Sequence, residues 1–196
     1  MRKLIKSIKN LQKTKIKRII QKRIEEFNML GSKKNGDIFG ELCFCILTAN
    51  FNAKRSIEIQ RKLGNDFYTL SGEELADKLK KLGHRFPNTR AKFIVEAREK
   101  AQEIKENVFL RDIDEKQLRE WLVKNIKGIG YKEASHFLRN IGKKNCAIID
   151  FHIIDVLRKN GVIGNIKHLS KKQYIEIEKK LEEISRKTHM SLAEID

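Results

Sequence analysis

A single proline, Pro87, stands in a chain of 196 residues, and that scarcity does most to decide what the chain can fold into. Proline and glycine are the strongest punctuators of regular structure. With one proline and eleven glycines, long segments are left in which apolar residues recur every three or four positions, the period of an amphipathic helix. The expectation is an all-α fold. Ile5, Ile8 and Leu11 form one stripe, and Ile16, Ile19, Ile20, Ile24, Phe27 and Leu30 a second, with Thr14 placed to cap between them. Asp37 then opens a nearly continuous apolar stretch. From Ile38 to Ala49 the residues Ile38, Phe39, Leu42, Cys43, Phe44, Cys45, Ile46 and Leu47 cover every helical direction, which predicts a central helix buried on all sides.

Capping residues divide the remainder. Asn52 opens a helix that ends at Gly64, and Ser71 with Glu74 forms a capping box for one that closes at Gly83. One long helix is expected from Asn88 to about Asn107, and another from Asp114 through Leu118, Trp121 and Leu122 to Ile126. Tyr131 to Ile141 follows, stopped by Gly142. An extended Asn145 to Ile149 leads into a helix opening at Asp150 and ending near Gly161, and Ser170 with Gln173 caps the next. No segment signals a strand, and no repeat is visible. The 40% of hydrophobic residues can build the core of one domain or two small helical lobes.

Charge points to the partner. Lysine and arginine number 43 against 26 acidic residues, a net +17, and a field of that sign attracts polyanions, nucleic acid first. From Met1 to Lys34 there are twelve basic residues against only Glu25 and Glu26. That arm reads equally as a phosphate-tracking surface and as the solvated face of a lysine-rich, thermophile-like protein. Cys43, Cys45 and Cys146 make no disulfide framework and no ligand set for zinc or an iron–sulfur cluster, which fits a reduced cytosol. No apolar run reaches the roughly 18 residues of a membrane span, and no signal-peptide core follows Met1. A soluble, cytoplasmic protein is expected.

The segment that carries chemistry is Asn125-Ile-Lys-Gly-Ile-Gly-Tyr-Lys132, in which Gly128-Ile129-Gly130 joins two helices. Two glycines let backbone amides approach a phosphate at the positive end of the helix that follows. Alone, the pattern is also that of a plain Gly-rich helix turn. Lys132 in the first turn of the new helix, and Asp150 eighteen residues on in Ile148-Ile149-Asp150-Phe151-His152, give it a more specific meaning.

Glu41-Leu-Cys-Phe-Cys-Ile-Leu-Thr-Ala-Asn50-Phe, Leu82-Gly-His-Arg-Phe86, Asn125 through Asn140 and the Asp150 block occur in an order that resembles a known family. It is that of the archaeal-type 8-oxoguanine DNA glycosylase/AP lyases, the second Ogg group of the helix-hairpin-helix endonuclease III-like superfamily. The resemblance implies residues 1–196 as one glycosylase unit, two helical lobes flanking a DNA-binding cleft, with the helix-hairpin-helix at about 114–142. It implies Lys132 as nucleophile and Asp150 as its carboxylate partner. It further implies His152 and the hairpin residues Gly128, Ile129 and Gly130 on DNA phosphates, Phe86 stacked on the flipped base, and Asn50 filling the gap that base leaves. The partner it implies is double-stranded DNA bearing an oxidised guanine or an abasic site, bound by a monomer. No cofactor is required; a structural cation held by the carbonyls of Lys124, Ile126 and Ile129 is implied by the relatives, and an iron–sulfur cluster is excluded because no cysteine follows Cys146. The family also carries an aromatic, basic tail beyond the position of Asp196.

The residues' own chemistry agrees. A lysine amine attacks carbon only when neutral, which a helix N-terminus beside Lys127 and a desolvated setting favour. A carboxylate at the opening of a helix stays ionised and can balance a developing sugar cation, as well as cap the helix. Other readings remain for individual residues: His152 as a buried helix histidine, Phe86 as a core phenylalanine, Asn50 as the cap of the next helix. A non-enzymatic helix-hairpin-helix DNA-binding module accounts for the charge and the hairpin but not for the pairing of Lys132 with Asp150. A glycosylase for a different oxidised base would share both.

Overall fold

A computed structural model of the chain describes residues 1–32, 38–109, 113–166 and 168–196. Asp37 lies outside them. The described residues form helices and connecting turns, with no strand among them. In chain order the helices are α1 (Arg2–Leu11), α2 (Ile16–Ser32), α3 (Ile38–Thr48), α4 (Ala53–Leu63), α5 (Asp66–Thr69), α6 (Gly72–Lys81) and α7 (Pro87–Glu99). They continue as α8 (Ala101–Phe109), α9 (Glu115–Asn125), α10 (Tyr131–Asn140), α11 (Phe151–Lys159), α12 (Lys171–Thr188) and α13 (Leu192–Ile195). The chain divides into two compact units, one of Met1–Lys33 with Leu138–Asp196 and one of Lys34–Phe137.

Local capping explains most of the boundaries. The Thr14 hydroxyl accepts from the Ile16 amide at 3.3 Å, and the Asn52 side chain accepts from the Arg55 amide at 3.0 Å to open α4. Capping boxes with both arms formed start α6 at Ser71, α12 at Ser170 and α13 at Ser191. One expectation fails. The single helix from Asn88 to Asn107 is two helices, α7 and α8, because Lys100 leaves helical geometry. Its amine donates to the Asn125 carbonyl at the end of α9 at 2.9 Å, a long-range contact that periodicity does not show. The four-residue α5 is also additional to the expected elements.

Within the central unit, α3 is the core. Leu42, Cys43, Cys45, Ile46 and Leu47 are fully buried, as the unbroken apolar run requires, and α4 and α7 pack against it. The α6–α7 pair is the most closely associated in this unit, through buried Leu75, Leu79, Ala91 and Ile94.

The unit formed by the two ends of the chain has a different device at its centre. The extended segment before α11 cannot satisfy its own backbone, so α12 does it. The Tyr174 hydroxyl donates to the Ala147 carbonyl at 2.6 Å and accepts from the Ile149 amide at 3.2 Å. The Glu178 carboxylate accepts from the Ala147 amide at 2.8 Å. Both side chains are 2% exposed. α1 and α13 also lie against α12, and a Cβ on Gly31 of α2 would run into the Ile141 carbonyl. Replacing Tyr174 with Phe leaves a buried amide and a buried carbonyl without their partner, and is expected to lower stability by about 1–3 kcal/mol. Chemical denaturation of the Tyr174→Phe variant measures it.

Candidate active site

The hairpin is built where α9 stops. Ile126 donates to Leu122 at 2.9 Å and then turns extended. Gly128 follows with φ of +87°, and a Cβ there would meet the Phe93 ring. Both facts restrict the position to glycine. Ile129 is buried and anchors the loop. The Gly130 carbonyl then accepts from Ala134 at 2.9 Å to open α10. The Gly130 amide, expected to face a phosphate, donates to the Glu133 carboxylate at 3.2 Å. The helix N-terminus thus already holds an anionic group of the chain itself. No described hydrogen bond ends on the carbonyls of Lys124, Ile126 or Ile129, whereas that of Asn125 is taken by Lys100. Backbone carbonyl oxygens are hard ligands of the kind that a hard cation takes.

Lys132 stands in the first turn of α10, with its side chain about one-third exposed and Nζ 3.6 Å from Glu133. The expected neighbour of like charge is otherwise engaged: Lys127 pairs with Glu96 at 3.1 Å. The charged group beside the Lys132 amine is therefore a carboxylate, and Glu133 is a site residue that spacing rules did not single out.

Asp150 belongs to the other unit. It is the N-cap of α11, its carboxylate accepting from the Ile153 amide at 2.9 Å, at the end of the segment hung from Tyr174 and Glu178. His152 is exposed on that helix, so the reading of it as a buried histidine fails. Its ring lies 3.9 Å from that of Phe151, which is 73% exposed.

Asn50 and Phe86 both lie in the central unit. Asn50 follows the C-terminus of α3 in the left-handed region, φ +57°, and is exposed; the cap of α4 is Asn52 instead. Phe86 is the N-cap residue of α7 and half-buried, not a core phenylalanine. The guanidinium groups of Arg85 and Arg90 lie 4.9 and 5.8 Å from its ring. Its amide donates to Nδ1 of His84 at 3.1 Å. Burial pushes the His84 imidazole below the ordinary histidine range, and the charges of Arg90 and Arg55 act in the same direction. No group of three metal-ligating side chains occurs among the described residues. A cavity of about 800 Å³ between α1, α2 and the C-terminal helices is lined by none of the expected site residues.

The chain thus carries a glycine hairpin, a lysine in the first turn of the next helix, and an aspartate capping a later helix. A family model described as 8-oxoguanine DNA glycosylase, Ogg-HhH, matches residues 20–190. The chain belongs to that family. The 8-oxoguanine DNA glycosylase/AP lyase of Korarchaeum cryptofilum is 50% identical over 98% of this chain and 91% of its own length. The fold is similar to the crystal structure of the Methanocaldococcus jannaschii 8-oxoguanine glycosylase/lyase in complex with a 15mer DNA containing 8-oxoguanine. That match has a TM-score of 0.92 and 51% identity, over 98% of this chain and 93% of that one. The 8-oxoguanine DNA glycosylase of Thermotoga maritima matches with a TM-score of 0.89 and 41% identity, over 100% and 93%. Family membership makes the hairpin a feature whose geometry can be tested directly. Gly128→Ala is expected to cost about 2 kcal/mol or more, from the positive φ and the Phe93 contact together. Gly130→Ala, where only a movable Glu133 oxygen lies near, is expected to cost less; thermal or chemical denaturation of the two variants compares them.

Proposed function

We infer that the protein is a DNA-repair glycosylase and AP lyase that removes 8-oxoguanine and then nicks the strand. The observation that carries this reading is Lys132 placed directly after the Gly128–Gly130 hairpin, in a chain about half identical to a protein solved on 8-oxoguanine DNA. The target nucleotide leaves the duplex stack to expose its sugar. Lys132 Nζ, as the free amine, attacks the anomeric carbon; the carbon–nitrogen bond to the base breaks, and the base departs with the electron pair and takes up a proton. Asp150, ionised at the start of α11, balances the positive charge on the sugar as that bond lengthens. Opening of the sugar ring gives a lysine Schiff base. Loss of a proton from the adjacent C2′ carbon then expels the 3′ phosphate, which is β-elimination.

The supporting parts have distinct duties. Phe86 presents a face for the extruded base, and Asn50 an amide for the partner base left unpaired. The hairpin amides and exposed His152 hold phosphates, which position the duplex without reading sequence. A phosphate arriving at Gly130 has to replace the Glu133 carboxylate on that amide. A cation on the carbonyls of Lys124, Ile126 and Ile129 would add positive charge toward the same backbone.

Lys132→Gln is expected to abolish base release and borohydride trapping while DNA affinity is kept. Trapping at the wild-type level would overturn the assignment. Asp150→Asn keeps an acceptor for the Ile153 amide but no charge, so base release is expected to slow by orders of magnitude in a folded protein.

The basic arm offers a salt test. Arg2, Lys6, Lys9 and Lys13 line a shallow hollow with Lys187, a row of cations along α1 and the turn after it. Because α1 packs on α12, deleting it would remove packing as well as charge, so substitution is cleaner. Changing Arg2, Lys6, Lys9 and Lys13 to Gln is expected to make the slope of log affinity against log salt shallower, by about 0.9 for each phosphate that they no longer neutralise. An unchanged slope would mark the arm as a solvated face.

A further inference from the structure

The half-buried Phe86 has no polar atom on its side chain, so the direction of its ring is set by what holds its backbone and by what lies around it. His84 holds the backbone. With Nδ1 accepting the Phe86 amide at 3.1 Å, the ring proton must sit on Nε2, which donates to the Leu47 carbonyl at 3.1 Å. His84 is 4% exposed, and the Phe51 ring lies 4.2 Å from it. Arg90, 7% exposed, reaches from α7 to the Ala49 carbonyl while its guanidinium lies near the Phe86 ring and 5.9 Å from the Phe93 ring. Leu47 is in the last turn of α3, Ala49 directly follows the helix, and the next residue is Asn50.

We propose that His84 is a positioning residue for lesion recognition: its neutral Nε2–H form ties the Phe86 amide to the end of α3, so that the stacking ring and the gap-filling Asn50 are carried on one rigid element. This rests on the stacking role inferred for Phe86. The neutral ring is required because a protonated imidazole has no lone pair left at Nδ1 for the Phe86 amide. The charges facing His84 are Arg90 from α7 and Arg55 from α4, both positive, while α3 offers a carbonyl. Acidification below the ordinary histidine value of about 6.5 therefore breaks the tie. Release of 8-oxoguanine then carries an acidic limb set by His84, lying below that value. Strand cleavage at a preformed abasic site, where no base needs a stacking face, lacks it.

Two substitutions separate the bonds. Glutamine places a donor near the Nε2 position but no acceptor at Nδ1; asparagine places an acceptor near Nδ1 and nothing at Nε2. Single-turnover rates are measured on 8-oxoguanine duplex and on abasic duplex. His84→Gln is expected to slow base release about tenfold with cleavage of abasic DNA unchanged. His84→Asn is expected to keep most of the base-release rate and to lose the acidic limb. Equal losses in both variants, parallel losses on both substrates, or no loss in His84→Gln would each overturn the proposal. Phe86→Ala is run alongside: if it leaves base release unaltered, the stacking reading itself fails, whereas a slow Phe86→Ala with a normal His84→Gln overturns the role of His84 alone. Nitrogen NMR of the wild-type chain gives a test without any variant, since a His84 ring protonated at Nδ1 at neutral pH would also overturn the proposal.

Discussion

A buried helix end leaves carbonyls that water cannot reach, and the C-terminus of α3 is the place where this chain meets that problem most severely. The helix is enclosed on all sides, so each of its last carbonyls needs a protein donor. The Thr48 hydroxyl donates to Cys45 at 2.8 Å and the Phe51 amide to Thr48 at 3.0 Å, while His84 serves Leu47 and Arg90 serves Ala49. A conventional glycine cap would satisfy such carbonyls locally. Here two of the donors come from the turn before α7 and from α7 itself, and that requirement draws Phe86 and Asn50 onto one piece of structure. The same logic holds in the other unit, where Tyr174 and Glu178 complete a backbone that neither helix nor sheet can complete, and Asp150 stands at the end of it.

Every residue assigned to chemistry or to the base lies within one turn of a helix end. Asn50 follows α3, Phe86 precedes α7, Lys132 is in the first turn of α10 and Asp150 caps α11. Helix ends project side chains and unpaired amides from rigid supports, so each of these residues combines a fixed position with polar groups close at hand. The Gly130 amide illustrates this: it donates to the Glu133 carboxylate at 3.2 Å, so the positive end of α10 is met by an anion of the chain itself. Burial pushes the Arg90 guanidinium below its ordinary value, and the same Glu133 carboxylate acts against that. A single acidic side chain therefore meets the hairpin amide and Lys132 and acts electrostatically on the charge beside Phe86.

Legibility in the sequence follows the range of the interaction. Ser71 with Glu74, Ser170 with Gln173 and Ser191 with Glu194 are local patterns, and each forms the cap its spacing predicts. The buried character of α3 was equally readable, because an apolar run with no polar side leaves no alternative. The break at Lys100 was not, since its cause is a carbonyl on a helix later in the chain. Tyr174 and Glu178 left only a faint mark, two polar residues four apart on the face that also carries Ile177 and Leu181. A polar pair on an apolar face is a signal that something buried needs hydrogen bonds. His84 lies inside the Leu82-Gly-His-Arg-Phe86 block with nothing in the sequence to set it apart from Arg85, and its 4% exposure is what marks it as a buried, structural residue.

The choice of histidine and arginine at the end of α3 follows from what each alternative lacks. A serine is too short to span from the turn before α7 to α3, and a lysine at position 90 would offer one compact cation in place of a planar group able to lie beside both Phe86 and Phe93. Burying a guanidinium is costly, and its Nε has no hydrogen-bond partner among the described residues. That expense is offset by the Ala49 carbonyl, by the faces of two aromatic rings and by the nearby carboxylate of Glu133. An apolar residue would be easier to bury but would leave the Ala49 carbonyl unmet and the Asn50 turn loose. Holding that turn fixes the backbone on which Asn50 stands, so the buried charge is best understood as the support for an exposed side chain one position away.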